Sequence, residues 1–405
     1  MIFKLLQNYI QMKNINNVII CLCILYFYSC SHQKQEYFEL EKLYIDINNE
    51  RFTFYDISDD ILPEFDFVRL ETTDSCLVSR IHKVLFENDI YYLFDKTNHV
   101  IHTFSVSGKY LSTLNQYGPG PNEYVDINAF AVENNNIWIF DGSSQKIICY
   151  DSNQKVVDRI NLKESGFWAD DMKYIDGYLY MINNWIGTKK VCHQILIYEP
   201  KSKVLSYHKA FSPLQGVIYR GMGHQIASID SLCLVSFSYC DTIFQVKDNA
   251  IIPKYQFVFS TGLEDKPISH FDNKQEKNEL IKGLTNIYQT SNSVVLSFSQ
   301  GKESRWVVFN KNNPIDSGKT GKIYRGFKIA DLGNYRLVGT EITNNSLISF
   351  FDDAFAFKQY FEDYLVNNNF KSEQSKTKIK EEVSKIKEYD NPVLFRFTLK
   401  KESNL

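Results

Sequence analysis

The sequence has no surplus of either charge. Lysine and arginine number 45 against 48 aspartates and glutamates, which leaves a formal net charge of −3. A chain this close to neutrality gives no sequence-wide electrostatic argument for a nucleic-acid partner or for attraction to an anionic surface. We therefore expect that the protein does not bind nucleic acid.

Cysteine pairs with the spacing of a zinc or redox site are also absent. Three of the eight cysteines, Cys21, Cys23 and Cys30, lie in the first 30 residues. The other five are an odd number without any Cys-x-x-Cys pair, which argues against both a disulfide framework and a zinc site. We expect these five to be buried free thiols. They are Cys76, Cys149, Cys192, Cys233 and Cys240.

The apolar run at the N-terminus is too short to span a bilayer. It extends from Val18 to Tyr28, follows Lys13 and stops at Ser29-Cys30. These eleven residues compare with about 20 in a transmembrane helix. A basic start, a short apolar segment and a small residue before the cleavage point are typical of a secretory signal, which we predict for residues 1–30. Because Met12-Lys13 would make a conventional start, we leave open whether residues 1–11 are translated.

Motifs for nucleotide binding and for hydrolysis are missing. The segment 118–121, Gly-Pro-Gly-Pro, lacks the Lys-Ser/Thr of a phosphate-binding loop, and Gly221-Met-Gly223 lacks the third glycine of a dinucleotide site. No Gly-x-Ser-x-Gly elbow and no His-x-x-x-His pair occur. His99 and His102 lie three positions apart on a predicted strand, so they face opposite sides and cannot chelate one ion.

Aromatic residues, in contrast, make up 15% of the chain and occur within a repeated pattern. The first copy ends a strand at Asp95 and the second at Asp141, 46 residues later. The first copy consists of the segments Ile90–Asp95, Val100–Phe104 and Gly108–Leu114. The second copy consists of the corresponding segments Ile137–Asp141, Ile147–Tyr150 and Lys155–Ile160. A repeat of about 40–50 residues built from short strands is the signature of a β-propeller blade.

Six such units can be traced, each with an inner strand, a turn rich in Asn, Asp or Gly, and a second strand. The predicted inner strands are Arg80–Phe86, Asp126–Val132, Asp170–Ile175, His224–Ile229, Leu284–Tyr288 and Phe327–Ala330. The second strand of the sixth unit is predicted over Tyr335–Val338. A seventh blade would need another unit within residues 37–75, and none is visible there. The sequence therefore predicts an all-β fold, a six-bladed β-propeller over residues 37–405 that follows a tether at residues 31–36.

The last blade has an interruption in its pattern. Leu347–Phe351 is predicted as a strand, and residues 352–388 then change to helical spacing, which predicts a helical insert. A smaller helical excursion is predicted over Asn273–Lys282. Val393–Leu399 forms the final strand, and we expect it to pair with Phe65–Glu71 so that both chain ends share one blade and close the ring.

Two further segments carry a resemblance to known proteins. The ending Phe27-Tyr28-Ser29-Cys30 resembles a bacterial lipobox, and the segment from Gly108 to Tyr124 resembles a signature of six-bladed propeller lipoproteins related to the NHL-repeat group. The matching positions are Gly118, Gly120, Pro121, Glu123 and Tyr124. The resemblance implies that Cys30 is acylated and anchors the protein in the bacterial cell envelope, with the outer membrane as the expected address. It implies no chemistry.

Charged residues lie just before or at the start of most of the predicted inner strands, which line the central channel of a propeller. They are Arg80, Asp126, Asp170, Asp171, Arg220, His224 and Lys328. If they converge, they form a polar ring that could hold a divalent metal or a polar ligand, with Arg220 as an anion contact. A hydrated channel without a ligand is the alternative. Trp168, Trp185 and Tyr219 could stack on a sugar or a peptide, or simply pack between blades.

Three functions stay open at this stage. We interpret the protein as an envelope-anchored binding or interaction module for a small ligand, a glycan, a peptide or an envelope protein. The alternative is a metal-assisted lyase or hydrolase with its site at the channel, as the resemblance to NHL-like propellers allows. A structural subunit of an envelope complex that makes contacts through the helical insert is the third.

Overall fold

Six β-sheets make up the folded chain, and each is one blade of a propeller. The structure is a computed structural model, and Leu40–Leu405 form one compact unit in it. It describes residues 41–45, 53–55, 58–184, 193–208, 224–229, 232–237, 240–247, 250–259, 281–290, 293–300, 303–310, 322–324, 328–333, 341–343 and 346–399.

The first three blades follow a segment that contributes strands β1 (Glu41–Ile45), β2 (Thr53–Tyr55) and β3 (Glu64–Arg69). Blade 1 consists of β4 (Ile81–Glu87), β5 (Ile90–Asp95), β6 (Val100–Ser105) and β7 (Tyr110–Leu114). Blade 2 consists of β8 (Ala129–Glu133), β9 (Asn136–Asp141), β10 (Lys146–Tyr150) and β11 (Val156–Asn161). Blade 3 consists of β12 (Asp171–Ile175), β13 (Tyr178–Ile182), β14 (Ile195–Glu199) and β15 (Val204–His208).

The last three blades each take an outermost strand from the N-terminal segment. Blade 4 consists of β16 (Ile226–Ile229), β17 (Leu232–Val235), β18 (Thr242–Lys247) and β19 (Ala250–Phe259), with β1 added parallel to β19. Blade 5 consists of β20 (Ile281–Gln289), β21 (Ser293–Gln300), β22 (Glu303–Asn310) and β23 (Lys322–Tyr324), with β2 added parallel to β23. Blade 6 consists of β24 (Glu341–Thr343), β25 (Ser346–Phe351) and β26 (Val393–Thr398), with β3 antiparallel to β26.

The blades form a closed ring around the channel. The first strand of every blade contacts the first strand of the next blade, and β24 of blade 6 contacts β4 of blade 1. Among the described residues, six hydrophobic cores lie between the six pairs of neighbouring blades. Burying one large apolar side chain contributes about 1.5–3 kcal/mol. The ring is therefore held together mainly by packing between blades.

The inner hairpins of the first three blades use the turn residues that the sequence predicts. Asn88 and Asp89 both have positive φ, at 50° and 60°, as do Asn134 and Asn135 at 49° and 66°. Two successive positive φ angles match the right-handed twist of the strands, and Asn, Asp and Gly adopt them most readily. These turns fix the register of each inner strand against its neighbour.

The repeated aspartates that reveal the first two blades have a structural role. Asp95 accepts a hydrogen bond from the backbone N–H of Ser79 (2.7 Å), and Asp141 accepts one from Val125 (3.0 Å). Both carboxylates are fully buried. Each thus ties the end of a second strand to the loop that leads into the inner strand of the same blade.

Two helices occupy the predicted insert, α1 (Ala354–Asn367) and α2 (Glu373–Lys385). The side chains of Asp353 and Ser372 accept hydrogen bonds from backbone N–H groups in the first turns, at 2.9 and 3.2 Å, which stabilises both helix starts. Phe357 of α1 is fully buried in the core between blades 5 and 6. The insert therefore packs on blade 6, next to the predicted closure of β3 on β26, which the structure confirms.

The prediction of Phe327–Ala330 as the sixth inner strand is wrong. Ala330–Leu332 form a short 3-10 helix, and the inner strand of blade 6 is β24. Ile329 is buried in the core beside the helices. The backbone N–H of Lys328 donates to Ser58 Oγ (3.3 Å), and its carbonyl accepts from the Ser58 N–H (2.7 Å). This segment is thus held by the N-terminal segment and not by a sheet.

The predictions for the N-terminal segment, for two later segments and for the cysteines have different outcomes. Strands β1 and β2 have no counterpart in the sequence prediction for residues 37–75. Most of the predicted excursion Asn273–Lys282 and all of Tyr335–Val338 lie outside the described residues, and the final two positions of the former begin β20. The four described cysteines, Cys76, Cys149, Cys233 and Cys240, are buried free thiols as predicted, and Cys192 lies outside the described part.

Candidate functional site

The inner strands present side chains to the channel in three tiers. We define the mouth tier as the last residue of each inner strand before its hairpin turn, the middle tier as two positions earlier and the deep tier as four positions earlier. Residues two apart on a strand point to the same side. The strand pairings place Glu87, Glu133 and Gln289 in the mouth tier, Lys173 and Glu341 in the middle tier, and Lys83 and Asp171 in the deep tier.

An ion pair in the deep tier joins two blades that are not neighbours. Lys83 Nζ of blade 1 lies 2.7 Å from Asp171 Oδ1 of blade 3. The other carboxylate oxygen accepts hydrogen bonds from the backbone N–H groups of Gln225 (2.8 Å) and Ile226 (3.2 Å) in blade 4. Burial raises the pKa of Asp171, but Lys83 and His224 outweigh it and lower the pKa overall. One ionised carboxylate therefore connects three blades.

A second ion pair, in the middle tier, joins blade 3 to blade 6. Lys173 Nζ of blade 3 lies 3.3 Å from Glu341 Oε1 of blade 6, and His224 Nε2 lies 3.6 Å from Glu341 Oε2. His224 Nδ1 lies 2.9 Å from the carbonyl oxygen of Ile287, and the ring stacks on Tyr288 at 4.7 Å. Burial raises the pKa of Glu341, but Lys173 and His224 together bring it down to about 2. This carboxylate is charged at neutral pH despite its burial.

Some of the residues in these tiers line a cavity of about 520 Å³ at the channel mouth. Its charged lining residues include Lys83, Lys173, His224 and Glu341, and its other lining residues include Phe86, Ala131, Tyr174 and Ser228. This volume lies within the range of about 300–1,000 Å³ found for small-molecule sites. The cavity combines a few aromatic and aliphatic walls with several charged groups, so it suits a polar ligand better than an apolar one.

Two buried acceptors of the mouth tier lack donors within the described part of the chain. Gln289 Nε2 donates to the carbonyls of Ala227 (3.0 Å) and Leu232 (2.7 Å), but Gln289 Oε1 has no partner there. Glu87 Oε2 is likewise unpaired. Burial, followed by the neighbouring Glu133, raises the pKa of Glu87. A buried acceptor without a donor costs about 1–3 kcal/mol, so a donor from a bound molecule would stabilise either group.

A protein-family model matches nearly the whole folded chain. Residues 42–398 match the model described as "Domain of unknown function (DUF4934)". The chain belongs to this family. No curated protein gives a significant match.

Two solved structures share the propeller fold of this DUF4934 member. A protein from Bacteroides fragilis that is named as an exported protein has 17% sequence identity and a TM-score of 0.67, and the match covers 90% of this chain and 100% of that one. A DUF4221 family member from Bacteroides vulgatus has 11% identity and a TM-score of 0.51, with 84% of this chain and 98% of that one covered. At such identities the likeness shows a common fold alone.

The residues predicted for the channel of this DUF4934 propeller fall into two groups. Asp171 and His224 come together in the charged network described above. Arg80 is exposed, Lys328 contacts Ser58, and Asp126 accepts from the Ile127 N–H (2.8 Å) and from Asn128 (3.1 Å). None of these three belongs to the described lining of the cavity. Arg220 lies outside the described residues.

Asp170 has a different place from its neighbour Asp171. Its Oδ2 accepts a hydrogen bond from the backbone N–H of Asn184 (2.7 Å), at the end of the second strand of blade 3. Asn128 makes the equivalent contact with Gly142 in blade 2, also at 2.7 Å. In both blades the two residues are 14 positions apart, so Asp170 occupies a repeated structural position and not a channel position.

Lys83, Lys173, Glu341 and Gln289 were not among the residues predicted for the channel. Each is a polar residue inside or at the end of an apolar inner strand, close to a hairpin turn. Lys83 stands four positions before the end of β4, as Asp171 does in β12. Counting four positions back from each hairpin turn would have identified Lys83 together with Asp171. Glu341 could not be found in this way, because the sixth inner strand was placed too early in the chain.

The described residues contain no group of three His, Cys, Asp or Glu side chains that could hold a metal ion. The two carboxylates of the network already have cationic partners in Lys83 and Lys173. The arrangement thus gives no support to the metal-assisted lyase or hydrolase considered from the sequence.

The signature loop forms a compact connection between blades 1 and 2. The Gly118 N–H donates to the carbonyl of Tyr124 (2.9 Å), and the Gly120 N–H donates to Glu123 Oε2 (2.7 Å). A Cβ atom at Gly118 would collide with the Glu123 carboxylate. Fully buried Tyr124 donates its hydroxyl to the carbonyl of His99 (2.8 Å). Together with Pro121, these residues shape a turn that is not among the residues lining the cavity.

Of the four other residues that the sequence singled out, the structure describes only Trp168. Trp168 packs edge-on against Phe140 at 5.6 Å, as expected for a residue between blades. Trp185, Tyr219 and Cys30 lie outside the described residues. No helix in the described ranges is long and apolar enough to cross a membrane.

Proposed function

We propose that this protein is an envelope-anchored binding module that holds a small polar ligand in the cavity at its channel mouth. The observation that carries the proposal is the cavity itself, about 520 Å³ in volume and lined by charged side chains from several blades. Lys83 and Lys173 line it and remain about a fifth to a quarter exposed, at 21% and 25%. Each ammonium group has three N–H donors, so hydrogen-bonding capacity remains for a ligand.

The geometry favours binding over catalysis. Asp171 is held by Lys83 and by two backbone N–H groups, and Glu341 is held by Lys173 and His224, so neither carboxylate is positioned as a free acid or base. A rigid polar cavity of this kind supports recognition, because its groups are already fixed before a ligand arrives. A small glycan, a peptide end or another polar metabolite has the corresponding chemistry.

The binding experiment uses the chain from residue 31 to 405, which includes the whole compact unit. A thermal-shift screen with monosaccharides, amino acids and short peptides finds ligands that stabilise the native state. Ser228→Phe fills part of the cavity, and Ser152→Phe at an exposed turn of blade 2 is the matched control. A hit should shift the melting temperature of the control but not that of Ser228→Phe. Equal shifts in both variants would place the ligand elsewhere and contradict the proposal.

The anchoring part of the proposal rests on Cys30 and the apolar run before it. In cells that express the full chain, we expect the protein in the membrane fraction. Cys30→Ser should release it or leave an unprocessed precursor, while Cys23→Ser within the same leader should have no effect. Equal membrane association together with the same processed size in Cys30→Ser, Cys23→Ser and the parent would contradict a lipid anchor at Cys30.

A further inference from the structure

We propose that the mouth tier binds the protonated amine of the ligand. This inference rests on the proposed function, since it names the chemistry that the same cavity selects. It starts from the distribution of charge along the channel.

The two inner tiers are balanced in charge. The deep tier pairs Lys83 with Asp171, and the middle tier pairs Lys173 with Glu341. Each lysine thus has a carboxylate of its own within 3.3 Å. An anionic ligand placed against these lysines would also meet the Glu341 carboxylate in the cavity lining, and Asp171 already balances the charge of Lys83. The floor of the cavity therefore provides hydrogen bonds without a net attraction for anions.

The mouth tier carries two acidic side chains and, among the described residues, no basic one. Glu87 and Glu133 stand at the same position in adjacent blades, each the last residue before its hairpin turn. Glu87 and the exposed Asp89, on the hairpin that follows it, line the cavity, whereas Glu133 is not among the lining residues and acts on Glu87 from beside the cavity. Like charges placed close together repel, and a cation between them removes the repulsion. The electrostatics at the mouth therefore favour a positively charged group.

The buried acceptors give a second and independent observation. Gln289 is 97% buried, with 3% of its surface exposed, and lines the cavity. Its amide nitrogen is fixed by two backbone carbonyls, so the unpaired Oε1 cannot obtain a donor by flipping the amide. Glu87 Oε2 is unpaired on the opposite side of blade 6. Both oxygens have free capacity to accept N–H or O–H donors from a ligand.

A primary ammonium group meets both requirements. It carries a positive charge for the acidic mouth and three N–H donors for the unpaired oxygens. A quaternary ammonium has the charge without the donors, and a hydroxyl has a donor without the charge. Hydrogen bonds that involve a charged partner are also about twice as strong as neutral ones.

The test compares glucosamine with glucose, which differ in one ammonium group and both fit a cavity of this volume. Isothermal titration of the chain from residue 31 should give glucosamine an affinity at least about tenfold higher than glucose. Glu87→Gln keeps the shape and removes the charge, and it should abolish this preference. Glu164→Gln changes an exposed glutamate of blade 2 that is not among the residues lining the cavity, and it should leave the preference intact.

The outcomes separate the two proposals. If both sugars bind equally and Ser228→Phe abolishes their binding, the amine proposal is wrong. The cavity is then still supported as the binding site. A glucosamine affinity that Glu87→Gln leaves unchanged, or no binding of glucosamine at millimolar concentration, would also overturn it. The ligand screen described above then decides the proposed function by itself.

Discussion

Lys83 and Asp171 meet at 2.7 Å across a blade to which neither belongs. The inner strand of the intervening blade 2 has Ala129 at the same register and Ala131 two positions later. These short side chains leave space for the lysine of blade 1 to reach the aspartate of blade 3. Because Asp171 is buried and also accepts hydrogen bonds from blade 4, the loss of Lys83 should lower the stability of the contacts among three blades.

Replacing Lys83 with methionine should lower the free energy of unfolding by about 3–5 kcal/mol, because Asp171 keeps a buried charge without its counterion. Adding Asp171→Asn should recover part of this loss, since the charge is then gone. Urea unfolding midpoints of the parent, Lys83→Met and the double variant provide the measurement. An unchanged midpoint for the single variant would show that the pair is not buried as described.

The lowered pKa of Glu341 predicts how the stability of the fold depends on pH. Its pKa is about 2 in the folded protein against 4.5 in the unfolded chain. A lowered carboxyl pKa contributes stability that is complete above the unfolded value and is lost as the pH falls from about 4.5 to about 2. This lowering of the pKa corresponds to about 3 kcal/mol of stability.

We therefore expect Glu341→Gln to be less stable than the parent at pH 7, and to show a shallower loss of stability between about pH 4.5 and pH 3. Guanidinium unfolding at several pH values measures both slopes. Glu164→Gln, at an exposed position, is the control and should follow the parent. Identical slopes for Glu341→Gln and the parent would contradict the lowered pKa.

Glu87 predicts the opposite dependence of stability on pH. Burial and Glu133 raise its pKa, so the folded state is favoured most when this carboxyl is protonated. That stability is present below the unfolded pKa and is lost as the pH rises through the folded value. Glu87→Gln should therefore raise the melting temperature at pH 7, with the gain disappearing near about pH 4. A variant less stable than the parent at pH 7 would argue against the acidic mouth.

The signature loop should matter for stability and not for the ligand. Tyr124→Phe leaves the carbonyl of His99 without its hydroxyl donor in a buried place, at an expected cost of about 1–3 kcal/mol. Tyr117 is 55% exposed, and Tyr117→Phe is the matched control. Melting curves and ligand titrations of both variants separate the roles. Lost affinity with unchanged melting in Tyr124→Phe would reverse this assignment.

The outermost strands of blades 4 and 5 should be needed for solubility. A chain that starts at residue 57 lacks β1 and β2 and leaves β19 and β23 with unpaired edges, which are templates for association between chains. We expect it to elute as oligomers or aggregates in size-exclusion chromatography. The chain from residue 37 is the control and should stay in its native state of association. Identical elution of both would show that these strands are dispensable.

The blade count could be predicted because each blade repeats a local signal. The hairpin at Asn88-Asp89 and the buried Asp95 depend only on residues near them, and the same pattern returns at Asn134-Asn135 and Asp141. The sixth inner strand was misplaced because Ile329 and its neighbours are apolar for another reason, namely packing beside the helices. Apolar patterning shows that a segment is buried, but it does not show what buries it.

The site was harder to predict than the fold. Asp170 and Asp171 are adjacent in the sequence, yet one holds a backbone N–H at the blade end and the other holds Lys83 across the channel. Only the register of β12 distinguishes them. Strands β1 and β2 escaped prediction because their partners, β19 and β23, lie far away in the sequence and no local turn connects them.

These N-terminal strands also set an order for assembly. Glu41 pairs with Tyr255, Thr53 with Lys322 and Glu64 with Thr398, at separations of 214, 269 and 334 residues. Chains are synthesised from the N-terminus, and contacts between distant residues form slowly. Each strand must wait for a blade that is made later, and the three partners emerge in the same order as the strands that need them. The N-terminal segment is thus completed in step with blades 4, 5 and 6, and β3 is the last of its strands to reach its place.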